Sequence, residues 1–307
     1  MKTALSVVLS AVFLGVSAQI VSEDGAKICY RQENGEEVVL KKNPKRTVVG
    51  YGSLAKVWDL AGGTAVGVPK LREKDALPES MKNLPQIGLP TVPNPEKIAM
   101  VNPDLVLLSS KLTRHYVVAS LMRQSGVDAV CVTYNNYRDF NALLDFFCRL
   151  NGKTVREVPA AAKVTSDVDA VCASVKGLKA PRCAIIFASA AGFSLESERT
   201  NTGLMTKMLG GENILKKSDR LRMNFSYEQL LLDNPDVIVI SMMGSHKMLR
   251  EKFRKEFMSQ AAWKELKAVK SNRVHFLPTE LFLYLPGPDY PEAFHYLKKL
   301  LYPETGK

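Results

Sequence analysis

The sequence predicts an α/β chain of two lobes, and three observations carry that prediction. At 307 residues and 46% hydrophobic composition, the chain exceeds the usual size of a domain built on one core. Short apolar runs of strand length alternate with helix-period segments along it, the pattern of stacked α/β layers. One unit is also written twice. "EKIAMVNPDLVLL" from Glu96 and "EQLLLDNPDVIVI" from Glu228 share a Glu, apolar positions, Asn-Pro-Asp and a buried run, at a constant offset of 132 positions. The copies fall on either side of one long helix.

Residues 1–18, "MKTALSVVLSAVFLGVSA", read as a cleavable signal peptide, with Lys2, an apolar stretch from Ala4 to Val16 and a Val16-Ser17-Ala18 cleavage pattern. The apolar stretch is short of the about 20 residues that a membrane span needs. Gln19 follows the cut, so no cysteine stands there to carry a lipid, and the mature protein is expected free in the periplasm.

The N-terminal lobe is expected over residues 19–152. Asn34-Gly35 suits a tight turn between Ile28–Tyr30 and Val38–Leu40, giving a hairpin. "TVVGY" is a buried strand, followed by a helix from about Leu54 to Ala61 and a stop at Gly62-Gly63. In the first repeated unit Asn94 caps a short helix, Pro95 takes its first position, and Asn102-Pro103-Asp104 ends it before the strand "LVLLS". A helix and strand in "YVVASLMRQSGVDAVCV" and a helix in "DFNALLDFFCRLNGK", closed by Gly152, complete the lobe.

The linking segment is 153–180, with a helix from Pro159 to Leu178 whose Val164, Val168, Val171, Val175 and Leu178 form an apolar stripe. The C-terminal lobe, 181–307, opens with the strand "CAIIFA". It continues through the second unit, where Ser226 caps and Gln229 completes a capping box, and closes with the helix "PEAFHYLKKLL".

Five cysteines without a C-x-x-C pair argue against a zinc knuckle or a thioredoxin-type site. Net charge is +11, but the basic residues are interspersed with acids and no DNA- or RNA-binding motif is present. A basic surface or an anionic small ligand is expected, not nucleic acid. No G-x-S-x-G, H-E-x-x-H or phosphate loop occurs, so no enzyme is expected; the alternative of another class is a metal-chelate-processing enzyme on a related two-lobed fold.

The order "NPKRTVVGYG", "EKIAMVNPDLVLL", "YRDFNALLDFFCRLNGK", "GLMTKMLGGENIL", "SYEQLLLDNPDVIVI" and "AVKSNRVHFLP" with the tail "PGPDYPEAFHYLKKLLYPE" resembles the helical-backbone (class III) periplasmic substrate-binding proteins of ABC importers, which carry iron-siderophores, heme and cobalamin. The resemblance implies two Rossmann-like α/β lobes joined by a single long backbone helix, with a ligand cleft between them. It also implies a two-fold symmetric permease dimer as partner, with Glu96 and Glu228 as its docking carboxylates. An iron chelate of siderophore type is the expected ligand, with cobalamin or another corrinoid, or heme, as alternatives.

Ligands of such folds meet loops at the carboxyl ends of strands. That rule selects Tyr51 to Ser53, Ser109 to Arg114 and Tyr134 to Tyr137 in the first lobe, and Phe193 to Asn201, Arg222, Met243 to His246, and Glu280 to Tyr284 in the second. Within these, Tyr51, Lys111, Arg114, Tyr134, Tyr137, Phe193, Arg199, Arg222, His246, Glu280, Phe282 and Tyr284 are the candidate ligand-binding residues. Lys111, Arg114, Arg199 and Arg222 are expected to neutralise an anionic chelate, and the aromatics to pack against it. Resemblance to the cobalamin binder places Phe193 and Arg222 at cleft positions. Heme-binding relatives set a tyrosine where this chain has Leu89, with His115, Tyr116 or His246 as substitutes; His275 and His295 are expected to be structural. No resident metal or cofactor is expected.

Overall fold

The computed structural model describes residues 19–72, 77–215 and 218–303. The segment read as a signal peptide lies outside the described residues.

Strands β1 (Gln19–Glu23), β2 (Lys27–Arg31) and β3 (Glu37–Lys41) form an antiparallel sheet. The β2–β3 turn is the expected one, with Gly35 at φ +85°, a left-handed conformation that costs glycine little. β4 (Thr47–Val49) leads into α1 (Gly52–Leu60), and the two-stranded β5 (Gly88–Leu89) and β6 (Val92–Pro93) precede α2 (Pro95–Met100). Then come β7 (Leu105–Ser109), α3 (Thr113–Gln124), β8 (Asp128–Val132) and α4 (Tyr137–Leu150). β4, β7 and β8 make a parallel sheet in that order. The free edge of β8 is covered by the first sheet: buried Gln32 accepts from the Cys131 N–H at 2.6 Å, and Asp128 accepts from the Lys41 N–H at 2.8 Å.

α5 (Pro159–Ala173) crosses to the second lobe. It is shorter than the apolar stripe implies: Ser174 ends it, and Leu178 lies exposed beyond Gly177, which takes φ +83°. In the second lobe β9 (Arg182–Ser189) hairpins into β10 (Gly192–Glu196), followed by α6 (Asn201–Met208), β11 (Glu212–Asn213), β12 (Arg222–Asn224) and α7 (Tyr227–Asp233). β13 (Val237–Met243), α8 (His246–Phe253), α9 (Ala261–Glu265), α10 (Lys267–Lys270), β14 (Val274–Phe276), α11 (Thr279–Phe282) and α12 (Tyr290–Leu301) complete the lobe. The sheet order is β12-β10-β9-β13-β14, with β11 also on β9.

The repeated unit folds alike in both lobes. Asn94 caps α2 by accepting from the Lys97 N–H at 2.8 Å, and Ser226 caps α7 by accepting from the Gln229 N–H at 3.2 Å. The expected capping box does not close, because the Gln229 side-chain amide turns to Asp233. Asn102 and Asn234 both take a left-handed turn, at φ +44° and +40°. The aspartate that follows pins neighbouring strand starts together. Asp104 accepts from the Lys45 and Arg46 N–H groups at 2.7 and 2.9 Å, and Asp236 from the Arg182 N–H at 2.9 Å. Asn-Pro-Asp is therefore a helix stop and a strand clamp in one.

Side-chain alternation along each strand divides the core. In the first lobe Val106, Leu108 and Cys131 face a private cluster under α3, while Leu105, Leu107 and Val130 face inward. In the second lobe Ile186, Ile238 and Ile240 face a private cluster with Trp263, while Ile185, Val237 and Val239 face inward. The two inward faces meet one continuous core with Phe140 and Phe147 of α4, Val164 and Val168 of α5, and Phe294 and Leu297 of α12. That shared core ties the lobes together more extensively than one helix can. Among the described residues no helix is long and apolar enough to cross a membrane.

Candidate functional site

A cavity of about 870 Å³ opens where the carboxyl ends of β7 and β8 face the loop after β10. Its first wall carries Lys111, Asn135, Asn136, Arg138 and Asp139. The opposite wall carries Glu196, Glu198, Arg199 and Thr200 with Asn201, Thr202, Leu204 and Lys207 of α6, Leu221 and Arg222 at β12, and Phe282, Leu283 and Leu285 beside α11.

Glu196 and Arg222 are direct cross-strand partners on β10 and β12. Nε and Nη2 of Arg222 both donate to Oε1 of Glu196, at 2.9 and 2.7 Å, and the guanidinium lies 3.7 Å from the centre of the Phe187 ring. Glu196 is only 3% exposed, and burial pushes its carboxyl above the ordinary range against the pull of Arg222. Lys207 pairs with Glu198 at 2.6 Å, and Arg199 donates to the Asp219 carbonyl. Gly203 lets α6 approach this loop, since a Cβ there would stand 1.9 Å from the Ser197 carbonyl oxygen.

On the first wall Asn136 caps α4 by accepting from the Arg138 and Asp139 N–H groups at 2.9 and 3.1 Å, and Asp139 accepts in turn from the Asn135 N–H at 3.0 Å. Lys111 reaches the Tyr134 carbonyl at 3.3 Å, and desolvation lowers its pKa, a shift that an anion bound there would oppose.

Of the residues selected from sequence, the structure brings Lys111, Arg199, Arg222 and Phe282 together in this cavity. The others lie elsewhere. Tyr137 is core, its ring 4.9 Å from that of Tyr290 and 5.2 Å from that of Phe294. Tyr134 is also buried, against Phe140. Phe193 shares a β10 face with Leu195 and packs edge-on against Phe257 at 4.7 Å; the next face of the same strand presents Glu196 to the cleft. Tyr51 is half-buried at the start of α1, and Arg114 is exposed on α3. His246 meets the Thr279 hydroxyl, while Glu280 and Tyr284 are exposed beside the cavity lining.

Glu196, which the sequence does not single out as a site residue, is buried against Arg222. Arg138 and Lys207 escaped the sequence reading altogether. Arg138 had a signal: a cation in the first turn of a helix is opposed by the helix dipole, so its presence there points to another employment.

The candidate heme ligands are otherwise engaged. His115 is fully buried, accepting at Nδ1 from the Ser109 N–H at 2.9 Å and facing the Pro90 carbonyl through Nε2 at 2.8 Å. Burial pushes the Tyr116 phenol up to about 12, away from phenolate. His275 is half-buried in β14 and His295 is exposed on α12.

Comparison with known proteins places this geometry. The high-affinity heme uptake system protein IsdE of Staphylococcus aureus is 26% identical over 231 residues, 74% of this chain and 77% of its own. The solved structure of that protein complexed with heme has a TM-score of 0.64 at 25% identity, over 84% of this chain and 98% of that one. An ABC transporter substrate-binding protein from Listeria monocytogenes has a TM-score of 0.68 at 26% identity, over 86% of this chain and all of that one. The vitamin B12 binding protein BtuF of Vibrio cholerae shares the fold, with a TM-score of 0.62 at 18% identity over 86% of this chain and 99% of that one. Residues 48–281 match the sequence profile of the family described as periplasmic binding protein. With two lobes, a crossing helix and a cleft at strand ends, the chain belongs to the periplasmic binding protein family, in its class III branch.

Proposed function

We propose that the protein captures an oxygen-rich, anionic iron chelate of siderophore type outside the cytoplasm and delivers it to the permease dimer of an ABC importer. The observation that carries this reading is the chemistry of the cleft. Five cations, Lys111, Arg138, Arg199, Lys207 and Arg222, share it with Asn135, Asn136, Asn201, Thr200 and Thr202, a lining suited to many ligand oxygens. Metal coordination then falls to the chelate's own donors, and the protein supplies charge, hydrogen bonds and shape. On this reading the ligand leaves unchanged.

Heme is the second reading. It is favoured by the likeness to the heme uptake protein and by the apolar strip of Leu204, Leu221, Phe282, Leu283 and Leu285 along one side of the cleft. The corrinoid alternative has likeness of fold alone behind it.

Delivery is assigned to Glu96 and Glu228, both exposed and without an ion pair among the described residues. Replacing both by Ala should leave chelate affinity intact and reduce chelate-stimulated transport.

The ligand test is a calorimetric titration with a ferric hydroxamate, a ferric catecholate, ferric citrate, hemin and cyanocobalamin, followed by mass analysis of the released ligand. Binding of a ferric siderophore or ferric citrate below about 10 μM is expected. Tight binding of hemin alone would transfer the reading to heme. Failure of all five, or recovery of a chemically altered ligand, would overturn it.

A further inference from the structure

The two copies of the repeated unit match in burial almost position by position. From Pro95 and Tyr227 onward, both run half-buried, exposed, exposed, buried, exposed, exposed, half-buried. Within that pattern stand Met100 and Leu232, again 132 positions apart. They are 78% and 75% exposed, the two most exposed large hydrophobic side chains among the described residues. A single exposed apolar residue needs no explanation, but the two extremes falling at equivalent places in two lobes do.

Neither side chain serves its own helix: Ile98 and Leu230 are the residues that anchor α2 and α7 to the cores. Each exposed residue lies four positions after Glu96 or Glu228, which puts carboxylate and apolar group on one helix face with Cβ atoms about 5–6 Å apart. Each lobe thus carries the same compound knob, a carboxylate without an ion pair among the described residues beside a projecting apolar side chain. The shared core holds the knobs at a fixed separation.

We propose that Met100 and Leu232 are the paired apolar anchors by which this protein grips a two-fold symmetric membrane permease. The proposal rests on the delivery half of the function proposed above and adds its short-range component. Free carboxylates call for a cation on the partner, and a projecting Met or Leu calls for an apolar socket next to that cation. Two equivalent knobs call for that cation and socket twice, related by a two-fold axis. Carboxylates act at a distance and set approach and orientation; desolvated apolar contact at the centre of each patch sets how long the complex lasts. The copies are not identical, since Lys97 beside Glu96 is replaced by Gln229, and Ala99 by the exposed Leu231. The second knob is therefore the more apolar and is expected to contribute more.

The test uses the full chain with a photo-crosslinking benzophenone amino acid at position 100 or at position 232, added to solubilised membranes of its own host. Both positions should crosslink to the same peptide of one integral membrane polypeptide. Crosslinks to different polypeptides, to different peptides of one polypeptide, to a soluble protein, or to none overturn the proposal. In parallel, Met100→Ser with Leu232→Ser should weaken binding to those membranes at least tenfold, with Leu232→Ser the stronger single change. Met248→Ser, at another highly exposed apolar site, should not change it. Unaltered membrane binding by the double variant is equally fatal. Chelate affinity measured on the same variants keeps the two readings apart. Failure to bind any chelate with crosslinks intact sinks the ligand assignment alone, while intact chelate affinity without crosslinks sinks the anchors alone.

Discussion

On the C-terminal wall of the cleft every cation is braced by protein oxygen: Arg222 by Glu196, Lys207 by Glu198 and Arg199 by the Asp219 carbonyl. On the N-terminal wall Lys111 has one long bond to the Tyr134 carbonyl, and Arg138 has no ionic or hydrogen-bonded side-chain partner among the described residues. The difference assigns the walls different work. A braced guanidinium presents its remaining N–H groups in a fixed direction without losing rotamer freedom on binding. A loose one loses that freedom but adapts to ligands of different outline. On the function proposed above, the C-terminal wall would orient a bound ligand, and the side chains of the N-terminal wall would adapt to its outline.

The largest way to break this asymmetry is Gly203→Ala. With the Ser197 carbonyl oxygen 1.9 Å from the new Cβ, α6 has to move away from the loop that carries Glu196. A loss of about 1–3 kcal/mol in stability is expected by chemical denaturation, together with weaker chelate binding.

Arg222→Ala comes next. It leaves the buried Glu196 without its cation, and about 2 kcal/mol of stability should be lost. That is less than a fully buried pair would lose, because Arg222 is 44% exposed. Chelate affinity should fall at the same time. A double-mutant cycle with Glu196→Gln should show coupling in stability; additive effects would mean that the brace is energetically idle.

Arg138→Ala sharpens the contrast from the other side, with chelate binding weakened by about 1–2 kcal/mol and the denaturation midpoint unchanged. A shifted midpoint would show that Arg138 is held by the protein after all.

A smaller effect is read in pH. Because burial raises the folded-state pKa of Glu196, at pH values between its unfolded and folded pKa the native state binds a proton that the unfolded chain has released. Its contribution to stability is complete below the ordinary carboxylate value of 4.5 and is lost as pH rises through the raised folded value. Glu196→Gln, which cannot ionise, should gain on the wild type in melting temperature as pH rises from 4.5, and a difference independent of pH would contradict this.

The smallest expected effect is in shape. With one apolar core running from β7 through α4, α5 and α12 to β13, the two walls cannot separate without exposing it. X-ray scattering profiles with and without chelate should nearly superimpose, and a large compaction would show that the walls move as independent bodies.

Much of the fold was legible because the relevant signals are local. Asn34-Gly35 marks the hairpin turn, Asn94-Pro95 the start of α2, Gly152 the end of α4, and the apolar runs at Leu105 and Val237 the central strands. The linking helix is shorter than its apolar stripe predicts, because the stripe continues through Val175, which is buried although the helix has already ended. The candidate site was less legible. The strand-end rule points to loops that line the cavity, but within them the candidates Phe193 and Tyr137 pack inward, while Glu196 and Arg138 line the cavity.

The sequence by itself determined the alternation of helices and strands, the repeated unit and its offset, and the caps and turns that end each element. All of these depend on residues within a few positions of one another, where propensity and periodicity act. Only the tertiary structure decided which side of β10 and which residue of the first turn of α4 face the cleft. It also decided that five cations from separate segments share one cavity, and that Glu196 is buried against Arg222. Those outcomes depend on sheet register and on which core each strand face meets, set by packing between segments far apart in the chain.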